Sequence, residues 1–320
     1  LNQRLSENHA LHYGQCPRDP SPGTPVGAYR VIKSIAKGGF SLIYLAADEE
    51  SGEEVVIKEY MPNRIARRDH LLRVVPIRFD YTESLYYGKK LFFQEVKALA
   101  MLRHPNIVRV LSFILAYDTG YLVMPNERGR NLGTYLQERK GGLSTTFILE
   151  VFIPILDALA LLHRNAMVHL DVKPGNIHLR HGHQPLLLDL GAVHPLNRER
   201  PRGGQVITAG FSPVEQYFQA GRIGPWTDVY AVGASIRACM EGRTPIPATE
   251  RQKLDMLVPT VVALKGRYPT FLLEAVDWAL KMEPDQRPQD AAELLNVLTQ
   301  HAADLYRPRP NDSSSQRHEP

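Results

Sequence analysis

The chain has 320 residues, of which 43% are hydrophobic and 22% charged, ordinary proportions for a globular protein. They exclude a wholly disordered chain and a collagen-like repeat, and two cysteines, Cys16 and Cys239, are too few for a disulfide scaffold. The formal charge is only +4, from 38 Lys and Arg against 34 Asp and Glu, and without a basic stripe interleaved with aromatics no nucleic-acid partner is expected.

In chain order, four prolines within residues 16–25 forbid a helix and predict a flexible arm over residues 1–28. From Tyr29 to about Val123 short β-type runs follow one another (YRVIKSIA, SLIYLAAD, EEVVIKEY, LLRVVPIRF, VRVLSFILAYD, YLVM), with one helical segment near 91–103. After Asn131 the helical period dominates, in LGTYLQERK, residues 145–163, VYAVGASIRACME, FLLEAVDWALKM and DAAELLNVLTQHAADLY. Two short β-type pieces, NIHLR and PLLLDL, flank the turn at 180–184. The most apolar stretch, Phe147 to His163, contains Glu150 and Asp157 and reads as a buried helix, not a membrane span. No charged-then-apolar leader pattern opens the sequence, so a cytoplasmic location is expected. Residues 303–320 predict a disordered tail, because 307–320 almost lack apolar side chains.

Three stretches carry chemistry. Ala36-Lys37-Gly38-Gly39-Phe40-Ser41 joins two β-type runs, and such a turn lays backbone N–H groups over phosphate oxygens; an ordinary Gly-Gly hairpin gives the same residues. In Val55-Val56-Ile57-Lys58-Glu59 the strand period puts Val56 and Lys58 on one face. A lysine on an apolar face needs an anion, and Glu95 supplies one, since it shares a helical stripe with Phe92, Leu99 and Leu102. The third stretch is Val168-His169-Leu170-Asp171-Val172-Lys173-Pro174-Gly175-Asn176, followed after one hairpin by Leu188-Asp189-Leu190-Gly191. Asn176 and Asp189 offer hard oxygen ligands suited to Mg²⁺, which leaves Asp171 to accept or orient a hydroxyl proton and Lys173 to stand near a transferring phosphoryl group. His178, His181 and His183 lack a fourth ligand and read as a polar hairpin.

The order of these motifs resembles the eukaryotic-type (Hanks-type) Ser/Thr protein kinases, over roughly Tyr29 to Gln300. The resemblance implies an α+β, bilobal protein kinase fold, with a small antiparallel β-sheet N-lobe carrying helix αC and a larger helical C-lobe. The kinase domain would span 29–302, its N-lobe about 29–124 and its C-lobe about 128–302. It also implies roles: Gly38 in the nucleotide-covering loop, Ile43 and Val56 against the nucleotide, Lys58 on the α/β-phosphates and Glu95 as its helix partner. Met124 stands as gatekeeper, with Pro125-Asn126-Glu127 as the hinge. Asp171 and Lys173 are catalytic, Asn176 and Asp189 hold metal, Asp228 is the aspartate of the helix after the activation segment, and Arg287 pairs with Glu215. ATP and Mg²⁺ are the implied cofactors and proteins the implied substrates. A cognate phosphatase or a phosphothreonine-binding domain protein is an implied partner. Lys58-Glu59-Tyr60-Met61-Pro62, residues 210–217 and Gly224-Pro225-Trp226-Thr227-Asp228 further resemble a proteobacterial subgroup, some members of which are encoded with type VI secretion systems.

The sequence also departs from the pattern. Ala36 and Ser41 replace two loop glycines, which predicts weaker nucleotide affinity. Pro125 lacks an N–H, but the family uses that position's carbonyl and takes the donor from the position of Glu127. Leu170 replaces the arginine that meets an activation-segment phosphate, and residues 192–207 contain no Ser, Thr or Tyr, so activity is expected to be independent of phosphorylation there. Thr208 matches the threonine that favours Ser/Thr substrates. Ser21, Thr24 and Ser313 to Ser315 are candidate autophosphorylation sites. The alternatives are a pseudokinase scaffold, favoured by the altered glycine loop, and a small-molecule phosphotransferase of the same fold, which would normally lack the Glu215 and Arg287 pair.

Overall fold

A computed structural model of the chain describes residues 19–100, 102–139, 142–189, 193–197 and 206–305. The chain divides into two units, one comprising residues up to Leu102 together with Arg109–Asn126, the other Arg103–Val108 with Glu127 onward.

The first unit is built on a six-stranded antiparallel sheet. Its strands are β1 (Pro25–Val26), β2 (Tyr29–Lys37), β3 (Ser41–Asp48), β4 (Glu54–Tyr60), β7 (Ser112–Ala116) and β8 (Thr119–Pro125), in the order β1-β2-β3-β4-β8-β7. Between β4 and β7 lie a two-stranded hairpin, β5 (Ala66–Arg68) and β6 (Val74–Pro76), and helix α1 (Thr82–Ala100). The sheet alternates as the strand period demands: Leu42, Tyr44 and Ala46 of β3 are buried, whereas Ile43 and Leu45 are half-buried. The flexible arm expected over 1–28 is fixed in its last ten residues, since Val31 donates to the Thr24 carbonyl, β1 pairs with β2, and Tyr117 donates to the Pro25 carbonyl at 2.8 Å. Backbone pairing there needs no helix, so the prolines do not oppose it. Residues 1–18 and 306–320 lie outside the described residues.

Helix α1 begins nine residues before the expected start at 91. Gly88 is the reason that start was hidden: it weakens the helical pattern, yet a Cβ there would lie 2.0 Å from the Tyr60 hydroxyl oxygen. Tyr60 also packs on Phe92 with ring centroids 5.8 Å apart. The tip of the Gly38–Phe40 turn is held by β4's continuation, with Met61 N–H donating to the Phe40 carbonyl at 2.9 Å and Asn63 N–H to Gly39 at 2.8 Å.

An ion pair lies inside this unit. Glu59, fully buried, receives hydrogen bonds from Arg68 at 2.7 Å, from the Tyr121 hydroxyl at 2.8 Å and from the Tyr44 hydroxyl. Arg68 also donates to the Leu72 carbonyl, which closes the β5–β6 turn. Burial raises both tyrosine hydroxyls above their ordinary range and the adjoining carboxylate raises them further. Burial acts to lower the Arg68 guanidinium, but Glu59 outweighs it and the net shift is upward. The guanidinium therefore stays charged.

The second unit is mainly helical. Its long helices are α3 (Thr145–Arg164), α5 (Pro225–Glu241), α8 (Thr270–Ala279) and α9 (Ala291–Leu305), with α2 (Leu132–Arg139) and the short helices α4 (Val214–Tyr217), α6 (Ala248–Lys253) and α7 (Thr260–Ala263). Strands β9 (Arg130–Asn131), β11 (Ile177–Leu179) and β12 (Pro185–Leu187) form one small antiparallel sheet, and β10 (Met167–Val168) pairs with β13 (His194–Pro195). Helix α3 is long and apolar enough to cross a membrane, yet Ile148, Val151, Phe152, Ile155 and Leu159 are fully buried in the unit. Helix α5 is buried on all sides from Thr227 to Met240 and ends at Gly242, which takes the left-handed conformation with φ 73°. The N-lobe expected as one run over 29–124 gives residues 103–108 to this unit: Val108 N–H donates to the carbonyl of Leu187 in β12, Leu187 N–H donates to the Asn106 carbonyl, and the Asn106 side chain donates to the Pro185 carbonyl.

Two substitutions test the first unit. Arg68→Ala strands the Glu59 carboxylate and is expected to cost roughly 3–5 kcal/mol. Gly88→Ala is expected to destabilise although alanine favours helix by about 1 kcal/mol. Urea unfolding measures both; a stabilised Gly88→Ala would show that Tyr60 yields freely.

Candidate active site

The first unit supplies one set of predicted residues. Antiparallel register pairs Lys58 with Ile43 and Leu122, and Val56 with Leu45 and Met124, so Ile43, Val56, Lys58 and Met124 share one face of the sheet. Lys58 is buried, whereas Ile43, Val56 and Met124 are half-buried. Gly38 begins the turn after β2, where its N–H donates to the Ser41 carbonyl at 2.8 Å. Glu95 falls within helix α1, and its side chain lies outside the described residues, as do Leu190 and Gly191. Glu127, half-buried, is the first residue of the second unit after the sheet.

The second unit gathers the rest. Asp171 is buried, and its carboxylate accepts four contacts: Lys173 Nζ at 2.9 and 2.8 Å on the two oxygens, the Thr208 hydroxyl at 2.7 Å and Asn176 Nδ2 at 2.8 Å. Lys173 Nζ also donates to the Thr208 hydroxyl at 3.0 Å. Asn176 Nδ2 bonds the Asp171 carbonyl too, which turns its Oδ1 away as the atom a cation would take. Asp189 is exposed, with φ 53° in the left-handed region. Its neighbour is fixed, since Leu188 N–H donates to the Asn176 carbonyl at 2.8 Å. Two oxygen donors of this kind, one amide and one carboxylate, fit Mg²⁺, which keeps several waters. Among the described residues no His, Cys, Asp and Glu cluster forms a metal site, and the His183 ring packs edge-on to Tyr135 and Phe147 instead.

The loop before Asp171 is fixed from below. His169 Nδ1 accepts from the Asp171 N–H at 3.3 Å, so Nε2 carries the proton and faces the Leu188 carbonyl at 3.2 Å. Leu170 takes φ 63°, costly for a non-glycine residue. Its N–H donates to Asp228 Oδ1 at 2.8 Å, and that of His169 to Asp228 Oδ2 at 2.7 Å. His163 Nε2 meets Asp228 Oδ2 at 3.0 Å, while its Nδ1 accepts from the Ala291 N–H. Burial alone would raise the Asp228 carboxyl, but the His163 bond and the His169 backbone N–H outweigh it and hold it below its ordinary value. Glu215 and Arg287, paired as expected, form a buried bidentate contact at 2.7 and 3.2 Å. The remaining Arg287 donors reach the carbonyls of Lys281, Met282 and Trp226, so all five N–H groups are engaged. The sequence reading did not single out His163; a histidine at the end of an apolar helix gave it no signal.

Asn at position 228 would offer one acceptor where two backbone donors point, so Asp228→Asn is expected to lose about 1–3 kcal/mol at neutral pH. A carboxyl held below its ordinary 3.8 stabilises the fold above that value and loses its effect as pH falls through the depressed one. The gap between wild type and variant, read by urea unfolding across acid pH, should therefore close on acidification; a gap that widened would contradict it.

Comparison with known proteins agrees with this geometry. The protein kinase domain model matches residues 29–302. PknL of Mycobacterium tuberculosis, a serine/threonine-protein kinase, is 30% identical over 319 residues, covering 94% of this chain and 73% of that protein. PknD of Protochlamydia amoebophila is 31% identical over 308 residues, 89% of this chain, and PknA of Nostoc is 28% identical over 285 residues, 84% of this chain. This chain spans 29% and 46% of the length of those two relatives. A solved structure described as "PpkA-294 apo form" superposes with a TM-score of 0.77 at 28% identity, covering 88% of this chain and all of that one. The motifs in their order, the held Asp171 and the matched domain together place the chain in the protein kinase family, among the Hanks-type bacterial Ser/Thr kinases.

Proposed function

We propose that this chain transfers the γ-phosphoryl group of ATP to Ser or Thr hydroxyls of protein substrates. The observation that carries the reading is the Asp171 carboxylate held at once by Lys173, Thr208 and Asn176. A carboxylate has about four lone-pair sites, and these contacts occupy them. Lys173 is the exchangeable partner, with a side chain 26% exposed against 5% for Asp171. When Lys173 turns to the phosphoryl group, Asp171 can receive the substrate hydroxyl. The hydroxyl oxygen then attacks the γ-phosphorus, the bond from that phosphorus to the bridging oxygen breaks, ADP leaves, and the hydroxyl proton passes to Asp171. Lys58 holds the α/β-phosphates, with Glu95 as its helix partner, and Ile43, Val56, Met124 and Glu127 receive the adenine beside Gly38. Asn176 and Asp189 would hold Mg²⁺, which supplies charge neutralisation to the phosphates when bound.

Activity without activation-segment phosphorylation is part of the same reading. Ser212 is buried and accepts the Thr208 N–H at 3.0 Å, while the Thr208 hydroxyl is committed to Asp171, so a phosphate on either would break the site, not order it. The three motifs named above support placement in the proteobacterial subgroup that includes kinases encoded with type VI secretion systems. Protein substrates, a cytoplasmic location and a phosphatase or phosphothreonine-binding partner complete the proposal.

Radiolabelled ATP with a generic basic acceptor protein tests it. Wild type should transfer label, chelation of Mg²⁺ should abolish transfer, and Asp171→Ala should lower it by roughly 10²–10⁴-fold while still binding nucleotide. Transfer by Asp171→Ala at the wild-type rate would overturn the assignment. Phosphatase-treated enzyme should keep its rate; loss restored by rephosphorylation at Thr208 or Ser212 would overturn the independence.

A further inference from the structure

Leu170 stands where the related kinases carry an arginine that grips a phosphate, so the loop bearing Asp171 and the segment bearing Thr208 need another tie. Gln216, in helix α4, is 2% exposed. Its Nε2 donates to the Leu170 carbonyl at 2.6 Å and to the Val206 carbonyl at 2.6 Å. Both partners are acceptors, so the amide nitrogen and not its oxygen must face them, and its two hydrogens answer two carbonyls. The Leu170 residue is thereby clamped on both sides, its N–H by Asp228 and its carbonyl by Gln216. Such clamping is what a non-glycine residue at φ 63° requires to persist. The other carbonyl, Val206, lies two residues before Thr208, whose hydroxyl meets Asp171.

We infer that Gln216 is a positioning residue that locks the catalytic loop to the Thr208 segment, doing with one amide what a phosphate and an arginine do in phosphorylation-dependent kinases. The inference rests on the kinase reading above. The amide is neutral, so the tie is made on folding and needs no modification, and it fixes the two walls between which the Asp171 carboxylate, Lys173 and Thr208 meet. It acts through those residues.

The test uses the full chain, phosphatase-treated, with steady-state kinetics on ATP and a protein acceptor. Gln216→Met keeps the length and loses both donors; Gln216→Asn keeps the amide but is one methylene too short to reach both carbonyls, and guards against failure of the methionine variant to fold. Each is expected to lower kcat by about 10–100-fold with KM for ATP within about twofold of wild type. Thr260→Val is the comparison for stability alone: it removes a buried hydroxyl that donates to the Leu273 carbonyl at 2.8 Å, remote from Asp171 in the chain, and should melt lower while keeping kcat. Gln216 variants that keep kcat, or lose no more of it than Thr260→Val does, overturn the inference while leaving the kinase reading intact. A wild type that transfers no phosphate overturns that reading, and the inference with it.

Discussion

The Asp228 carboxylate is the constraint on which the second unit's chemistry depends. A fully buried anion is tolerated only where donors surround it, and here two of those donors are the consecutive backbone N–H groups of His169 and Leu170. An anion that demands two adjacent N–H groups dictates the path of the backbone that carries them. It forces Leu170 into the left-handed region, and the next residue along that path is Asp171. The position of the Asp171 carboxylate is thus set by a buried charge on helix α5, and His163, joined to Asp228 and to the Ala291 N–H, passes the same constraint to helix α9. Glu215 and Arg287 repeat the principle where the activation segment ends, in a buried ion pair whose every guanidinium hydrogen is matched.

Much of this was legible from residue order. Strand alternation placed Val56 and Lys58 together, and the register confirms it with Ile43 and Met124 on the same face. The sequence spacing of Asp171, Lys173 and Asn176 translated into a bonded cluster because all three belong to one short loop, where local geometry leaves little freedom. What could not be read was contact across long separations. Glu59 looks like a solvated charge at the end of a strand, and only the return of the β5–β6 hairpin buries it against Arg68. Gly88 masked the start of helix α1, because its purpose is the close approach of Tyr60. The bonds of Gln216 to Leu170, 46 residues away, belong to the same class.

The seven prolines and other breakers that make the ends of this chain look loose do not carry equal weight. Between residues 19 and 31 the backbone is satisfied by strand pairing and by turns, and the Asp19 carboxylate reaches Lys37 at 2.8 Å. Composition registers the missing helix there but not the available sheet edge, since that edge is created by β2 folding back on β3.

The suspended tip of the turn after β2 bears on how a ligand would be received there. With the carbonyls of Gly39 and Phe40 hung from the main chain of Asn63 and Met61, the turn is preorganised, and its ordering entropy is settled at folding instead of at the moment of encounter. Two glycines fewer make the turn stiffer, and the suspension makes that stiffness useful.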